Sequence, residues 1–251
     1  MGKVERTYLN LILTVSVLVA LYLTSQNWKS HLMLHDVKVY DASMLTVSEV
    51  KTLANVQEGS ALYGLSLAKI SHRVERSPFV KQAVVVRALP YDLTITLQER
   101  NPIALLANQA PQEQMLSVDK DGVVLPLPLE RKNNLPVITD VREKLEVGDT
   151  VRGILMQAVN FICDADKVGE AVSANIAEVK LENNNLIAYT TSSSLPIIIG
   201  RDNLDRKLIY LKSFLEEFAA DGDPNYNYID LRFNRQIVVG MSEANTNREQ
   251  Q

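Results

Sequence analysis

Residues 80–99, VKQAVVVRALPYDLTITLQE, decide how the first half of this chain folds. In Leu93-Thr-Ile-Thr-Leu-Gln-Glu99 apolar and polar side chains alternate, which puts Leu93, Ile95 and Leu97 on one face of a strand. Val80-Lys-Gln-Ala-Val-Val-Val-Arg87 is rich in β-branched residues, which suit a pleated surface. Between the two runs, Ala88-Leu-Pro-Tyr-Asp92 carries the proline that fixes a turn. The pair is expected as a hairpin with one buried face.

Upstream, His35-Asp-Val-Lys-Val-Tyr40 alternates like a further half-buried strand. Thr46-Val-Ser-Glu49 has the spacing of a capping box, so a short helix is expected through about Asn55. Gly59 and Gly64 bracket a loop, after which Leu67, Ile70 and Val74 recur at helical spacing until Pro78. Residues 33–102 therefore spell strand, helix, helix, strand, strand.

Residues 7–28 hold no charged side chain, and their apolar centre is flanked by Tyr8, Tyr22 and Trp28. About 20 such residues span a hydrocarbon core, with aromatic rings at its interfaces. Residues 8–28 are therefore expected as one transmembrane helix. Lys3 and Arg6 place the short tail, residues 1–7, in the cytoplasm and the bulk of the chain outside. A cleaved secretory signal is the alternative, but no small-x-small site precedes Gln26-Asn-Trp28.

From 103 to 241 short strands and two amphipathic helices are expected. Met115-Leu-Ser-Val118 and Val123-Val-Leu125 flank Asp119-Lys-Asp-Gly122, which suggests calcium. A closing glutamate would have to be Glu130, beyond two prolines, and a hairpin turn is the better reading. Val151, Ile154, Leu155, Ala158, Phe161 and Ile162 share one helical face; Leu204, Leu208, Leu211, Leu215 and Phe218 share another. Residues 176–181, 186–190 and 197–200 are strand candidates, and Gly200-Arg-Asp202 is a strand-to-helix turn. Asp221-Gly-Asp-Pro-Asn225 is a turn cluster. In Tyr226-Asn-Tyr-Ile-Asp-Leu-Arg-Phe233, Ile229, Leu231 and Phe233 are expected on one face and Tyr228, Asp230 and Arg232 on the other. Ile237-Val-Val-Gly240 is the last strand, and residues 242–251 are expected to be a disordered tail.

With 251 residues, 46% hydrophobic and 22% charged, the composition is globular, and the class is α+β with a mostly antiparallel second domain. A net charge of −4, without Lys/Arg runs interleaved with aromatics, argues against nucleic acid. Cys163 is the sole cysteine, which excludes an intramolecular disulfide, and its apolar helical surroundings suit packing. His31, His35 and His72 stand in no nucleophile or metal motif, and G-x-S-x-G, H-E-x-x-H and C-x-x-C are absent. No catalytic, cofactor-binding or metal residue is assigned, and the chain reads as a non-enzyme.

The run Ser77-Pro-Phe-Val-Lys-Gln-Ala-Val-Val-Val-Arg87, then Leu89-Pro90, then Leu93-Thr-Ile-Thr-Leu-Gln-Glu-Arg-Asn-Pro-Ile-Ala104 resembles the second half of a POTRA domain. Tyr228-Ile-Asp-Leu-Arg-Phe233, with Gly240 seven residues on, is similar to the closing hairpin of the FtsQ/DivIB family. The order of anchor, POTRA module and β domain matches that family along nearly the whole chain. The resemblance implies a cell-division scaffold of the inner membrane, enriched at the septum. Such a scaffold would link early and late division proteins to septal peptidoglycan synthesis. Its implied partners are FtsB, which adds a strand to the last β edge, and FtsL through FtsB, besides the lipid bilayer and other division proteins met through the POTRA part and membrane helix. By position Arg232 would pair with an acidic partner residue and Phe233 would supply an aromatic anchor, although its face is also that of a core residue. Ile237, Val238, Val239 and Gly240 would give the backbone edge, Asn234 and Arg235 its turn, and Lys180 a second basic contact. Arg235-Gln236 departs from the small residues or glycine usual at that turn. The rival reading is a POTRA-bearing factor that handles polypeptides in secretion or outer-membrane assembly, but no alternating membrane strands with aromatic girdles follow Gly200.

Overall fold

The computed structural model describes residues 3–30, 32–108, 115–127, 135–221, 226–233 and 236–241. Asn234, Arg235, Glu130, His31, residues 222–225 and the 242–251 tail lie outside the described residues, as do the side chains of Lys3, Arg6, Trp28 and Phe218. The chain divides into two compact units, Met1–Arg100 and Asn101–Gln251.

Unit 1 begins with the 28-residue helix α1 (Lys3–Ser30). Its apolar side chains from Leu11 to Leu23 are exposed. Thr14, Ser16 and Thr24 turn their hydroxyls back onto the carbonyls of Asn10, Leu13 and Ala20, as such residues do in helices. Among the described residues no helix is long and apolar enough to cross a membrane. The stretch of α1 whose side chains are described without a break, 10–24, is shorter than the about 20 residues a span needs.

Strand β1 (Asp36–Tyr40), helices α2 (Val47–Ala54) and α3 (Leu67–Val74), and strands β2 (Val80–Ala88) and β3 (Asp92–Glu99) follow in the expected order. The capping box forms: Thr46 Oγ1 accepts the Glu49 N–H at 3.3 Å, and Glu49 Oε2 accepts the Thr46 N–H at 2.7 Å. Asn55, at φ +47°, ends the helix in the left-handed conformation that asparagine tolerates. The sheet order is β1-β3-β2, with β3 parallel to β1 and antiparallel to β2. Leu93, Ile95 and Leu97 are buried with Val50, Ile70 and Val74 of the two helices, so the alternation of β3 is what seats the helices on one face.

Unit 2 contains strands β4 (Pro102–Asn108), β5 (Leu116–Asp119), β6 (Val124–Pro126) and β7 (Val137–Val141), then helices α4 (Gly153–Val168) and α5 (Glu170–Ser173). Strands β8 (Ile176–Glu182), β9 (Asn185–Thr190) and β10 (Pro196–Gly200), helix α6 (Leu204–Asp221), and strands β11 (Tyr226–Asp230) and β12 (Val238–Met241) complete it. The strands form one nine-stranded sheet in the order β12-β11-β10-β9-β8-β7-β4-β5-β6. It is mixed: β4 with β7, β7 with β8 and β10 with β11 are parallel, and the other neighbours are antiparallel. Two of the parallel pairs are bridged by helices, β7 to β8 through α4 and α5, and β10 to β11 through α6, because a parallel neighbour requires a crossover. Asp119 to Gly122 is a hairpin turn: Asp119 Oδ1 accepts the N–H groups of Asp121 and Val123 at 3.0 and 2.7 Å. Helix α4 starts two residues after Val151, which is buried ahead of it. Cys163 on α4 is half-buried instead of fully enclosed, and burial raises its thiol above the ordinary value, which disfavours the reactive thiolate.

Candidate functional site

The described residues of the site proposed by sequence, Lys180 excepted, gather around β11 and β12. β11 lies parallel to β10, with Ile197 opposite Ile229, and antiparallel to β12. β12 has β11 on one side and, among the described residues, no strand on the other. Such an edge presents backbone donors and acceptors to a further strand.

The expected strand through Phe233 ends early, at Asp230. Ile229, Asp230 and Leu231 are all buried, so the alternation breaks where pairing stops. The Leu231 N–H still donates to Ile198 O at 2.9 Å, holding the chain against β10 as it leaves the sheet. Beyond that bond the chain turns outward, and Phe233 is 52% exposed. The core reading of Phe233 is therefore corrected: it shares no buried face with Ile229 and Leu231.

Arg232 is already occupied. Its Nε lies 3.0 and 3.1 Å from the two Asp230 carboxylate oxygens, its second terminal nitrogen 2.6 Å from Oδ2, and its own N–H 2.9 Å from Oδ1. Asp230 is only 4% exposed. Burial pushes its carboxyl up, but the hydrogen bonds and charge of Arg232 outweigh this and hold it below the ordinary value. The same pair raises Arg232, which stays a cation. Beside them Lys207 donates to Ile199 O at 2.6 Å, and its ammonium is lowered mainly by desolvation. Gly200, at φ +79°, lets Arg232 pass: a Cβ there would stand 3.3 Å from Arg232 Cγ. The arrangement is a fork-shaped cation, clamped from behind by a buried carboxylate, with the guanidinium edge still facing water.

Gly240 stands opposite Tyr228, whose ring lies over it. Ile237 precedes β12 instead of belonging to it; Ile237 and Val239 pack partly against the core while Val238 is exposed. Lys180 is not brought to this place. It lies on β8, four strands from β12 and so about 19 Å across the sheet, and forms ion pairs with Asp140 and Glu182 at 3.7 Å each. The charge of Glu182, ahead of that of Asp140, raises its ammonium. Sequence reasoning missed Asp230, because strict alternation placed it on the solvent side.

Residues 33–100 match the family model for the POTRA domain, FtsQ-type, and residues 101–240 that for FtsQ/DivIB, C-terminal related. The chain is 28% identical to the cell division protein FtsQ of Salinibacter ruber, over 90% of each chain. It is 28% identical to that of Rhodothermus marinus, over 94% of this chain and 88% of the relative. With that of Geotalea daltonii the identity is 25%, over 82% and 74%.

Proposed function

The chain belongs to the FtsQ/DivIB family, and from that premise we propose that it is a non-enzymatic cell-division scaffold held in the inner membrane by α1. The anchor reading is supported by the uncharged stretch 7–28, by exposed apolar side chains along α1, and by hydroxyls that bond back to the helix and need no water. Its tail, residues 1–7, faces the cytoplasm, and residues 33–102 and 103–241 work on the outer side, at the division septum.

Its task is to hold FtsB-type and FtsL-type partners, linking early and late division proteins to septal peptidoglycan synthesis. An extended FtsB-type segment adds to β12, its acidic side chain meeting the outer edge of Arg232 and its apolar side chains meeting Phe233. The observation that carries this reading is the terminal strand β12 beside an exposed aromatic and a clamped guanidinium. Gly240 belongs to the same edge, Asn234 and Arg235 are assigned to the partner contact by their place in the sequence alone, Lys180 stands apart as a secondary basic contact, and the POTRA part and α1 meet other division proteins.

Co-purification of the full chain in detergent with an FtsB-type protein tests this. Phe233→Ala, at a residue 52% exposed, is expected to weaken the complex roughly thirtyfold, the effect of losing an aromatic anchor worth about 2 kcal/mol. Val238→Pro removes a backbone donor from β12 and is expected to abolish binding. Unchanged affinity in both variants, with folding intact, sinks the edge reading.

A further inference from the structure

Leu32 to His35 carry the chain from α1 into β1, and three hydrogen bonds fix where they run. The Leu34 N–H donates to Ser60 O at 2.8 Å, the Leu62 N–H to Leu32 O at 2.8 Å, and the His35 N–H to Tyr91 O at 2.7 Å. The entry segment is thus held between the loop at 59–63 and the tip of the β2–β3 hairpin, at one pole of the three-stranded sheet.

That pole projects apolar side chains: Leu89 is 65% exposed, Tyr91 50% and Met33 48%. The charges around them are engaged. Lys38 holds Asp92 at 2.6 Å, Lys51 holds Asp36 at 2.8 Å, and Arg87 donates to Leu62 O and Leu65 O from over the Tyr63 ring. Glu58, in the neighbouring loop, is the exposed acid of this end. The chain leaves unit 1 at the other pole, since β3 runs parallel to β1 and ends at Glu99, about 25 Å on.

Between Ser30, the last residue of α1, and His35, bonded to Tyr91, lie five residue steps, at most about 17 Å of chain. With α1 in a bilayer, Tyr91, one strand spacing beyond His35, cannot stray farther than about 22 Å from the end of the anchor. We propose that this pole of unit 1 docks on the bilayer beside the anchor, with Leu89 and Tyr91 entering the interfacial layer. The inference rests on the anchor reading above. A lipid interface fits better than an added strand, because these side chains sit on a tip whose backbone is engaged by the entry segment. Tyrosine and leucine suit a layer that is wet on one side and apolar on the other. The short tether also keeps the tip at high local concentration against the membrane. Docking there points the exit end of β3 away from the bilayer.

The test uses the full chain with Cys163→Ala, reconstituted in phosphatidylethanolamine/phosphatidylglycerol vesicles and spin-labelled at Leu89→Cys, Tyr91→Cys or, as the exit-pole control, Ser48→Cys. Labels at 89 and 91 are expected to be several-fold less accessible to an aqueous nickel chelate, and more accessible to oxygen, than the label at 48. If the protein floats with the vesicles yet all three labels are equally open to nickel, the docking is wrong and the anchor stands. Protection that appears only after a second membrane protein is added also overturns it, by showing a protein occupant. Failure to float with the vesicles removes the anchor reading and this inference together.

Discussion

The ring of Tyr228 lies over Gly240 so closely that a Cβ at that glycine would overlap Cε1 and stand 2.6 Å from Cδ1. Gly240 is not needed for a left-handed backbone; it is needed because an aromatic on the neighbouring strand covers it. Gly240→Ala must displace the ring, at a cost of about 1–3 kcal/mol for overpacking, and in the Tyr228→Ala background the same substitution is expected to cost much less. Thermal unfolding of the four members of this cycle measures the coupling. Asp230 gives a second prediction. Its folded value lies below the ordinary 3.8, so its ionised form stabilises the fold above that value, and the contribution disappears as pH falls through the folded value. Asp230→Asn should therefore flatten the loss of stability below about pH 4, seen in urea unfolding at a series of pH values. If the variant and parent lose stability in parallel, the clamp contributes nothing. The positions of Arg232 and Gly240 were legible through their motif. The clamp was not, because it depends on β11 ending at Asp230, and that end is set by pairing with β10 and not by the alternation of 226–233.

At the scale of elements, the five pieces of residues 36–99 could be read because each signal is local: alternation in β3, a capping box at α2, a proline after α3. What local signals could not show is why Glu99 ends β3. Its carboxylate accepts the N–H groups of Ser43, Met44 and Leu45 at 2.7, 2.7 and 3.0 Å and the Ser43 hydroxyl at 2.8 Å. The last residue of β3 thus organises the loop that launches α2, a contact across more than fifty residues of sequence. Glu99→Ala leaves those amides without their acceptor, and faster hydrogen exchange is expected at residues 43–45 and through the first turn of α2. Protection unchanged there would mean that water replaces the carboxylate at no loss. Thr46→Ala, which removes the cap itself, should cost about 1 kcal/mol. Strands β4 and β7 escaped the sequence reading for the complementary reason. Pro136-Val-Ile-Thr-Asp-Val141 is short and ends irregularly, with Asp140 at φ +61°, and only its two parallel neighbours, β4 and β8, make it a strand.

Over the whole molecule, buried residues fall into two clusters with no member in common, one drawn from 34–97 and the other from 104–231. The first was legible because its element signals are local and their order carried the resemblance to one module, even though β1 pairs with β3 more than fifty residues on. The order of the nine-stranded sheet was not, since three of its pairings are parallel and join strands separated by a hairpin or by helices. Two clusters with separate memberships imply two cooperative units, each melting as its own core fails. Ile95, fully buried in the first, and Ile197, 1% exposed in the second, test this. Ile95→Ala should cost about 2–5 kcal/mol, as large-to-small core changes do, and hydrogen exchange should accelerate within 32–100 alone. Ile197→Ala should accelerate exchange within 101–241, and most at β9, β10 and β11, which pair around it. The prediction fails if either substitution speeds exchange equally across both units. That outcome would mean that the chain unfolds as one, and that the unit bearing α1 and the unit bearing β12 answer to each other's stability.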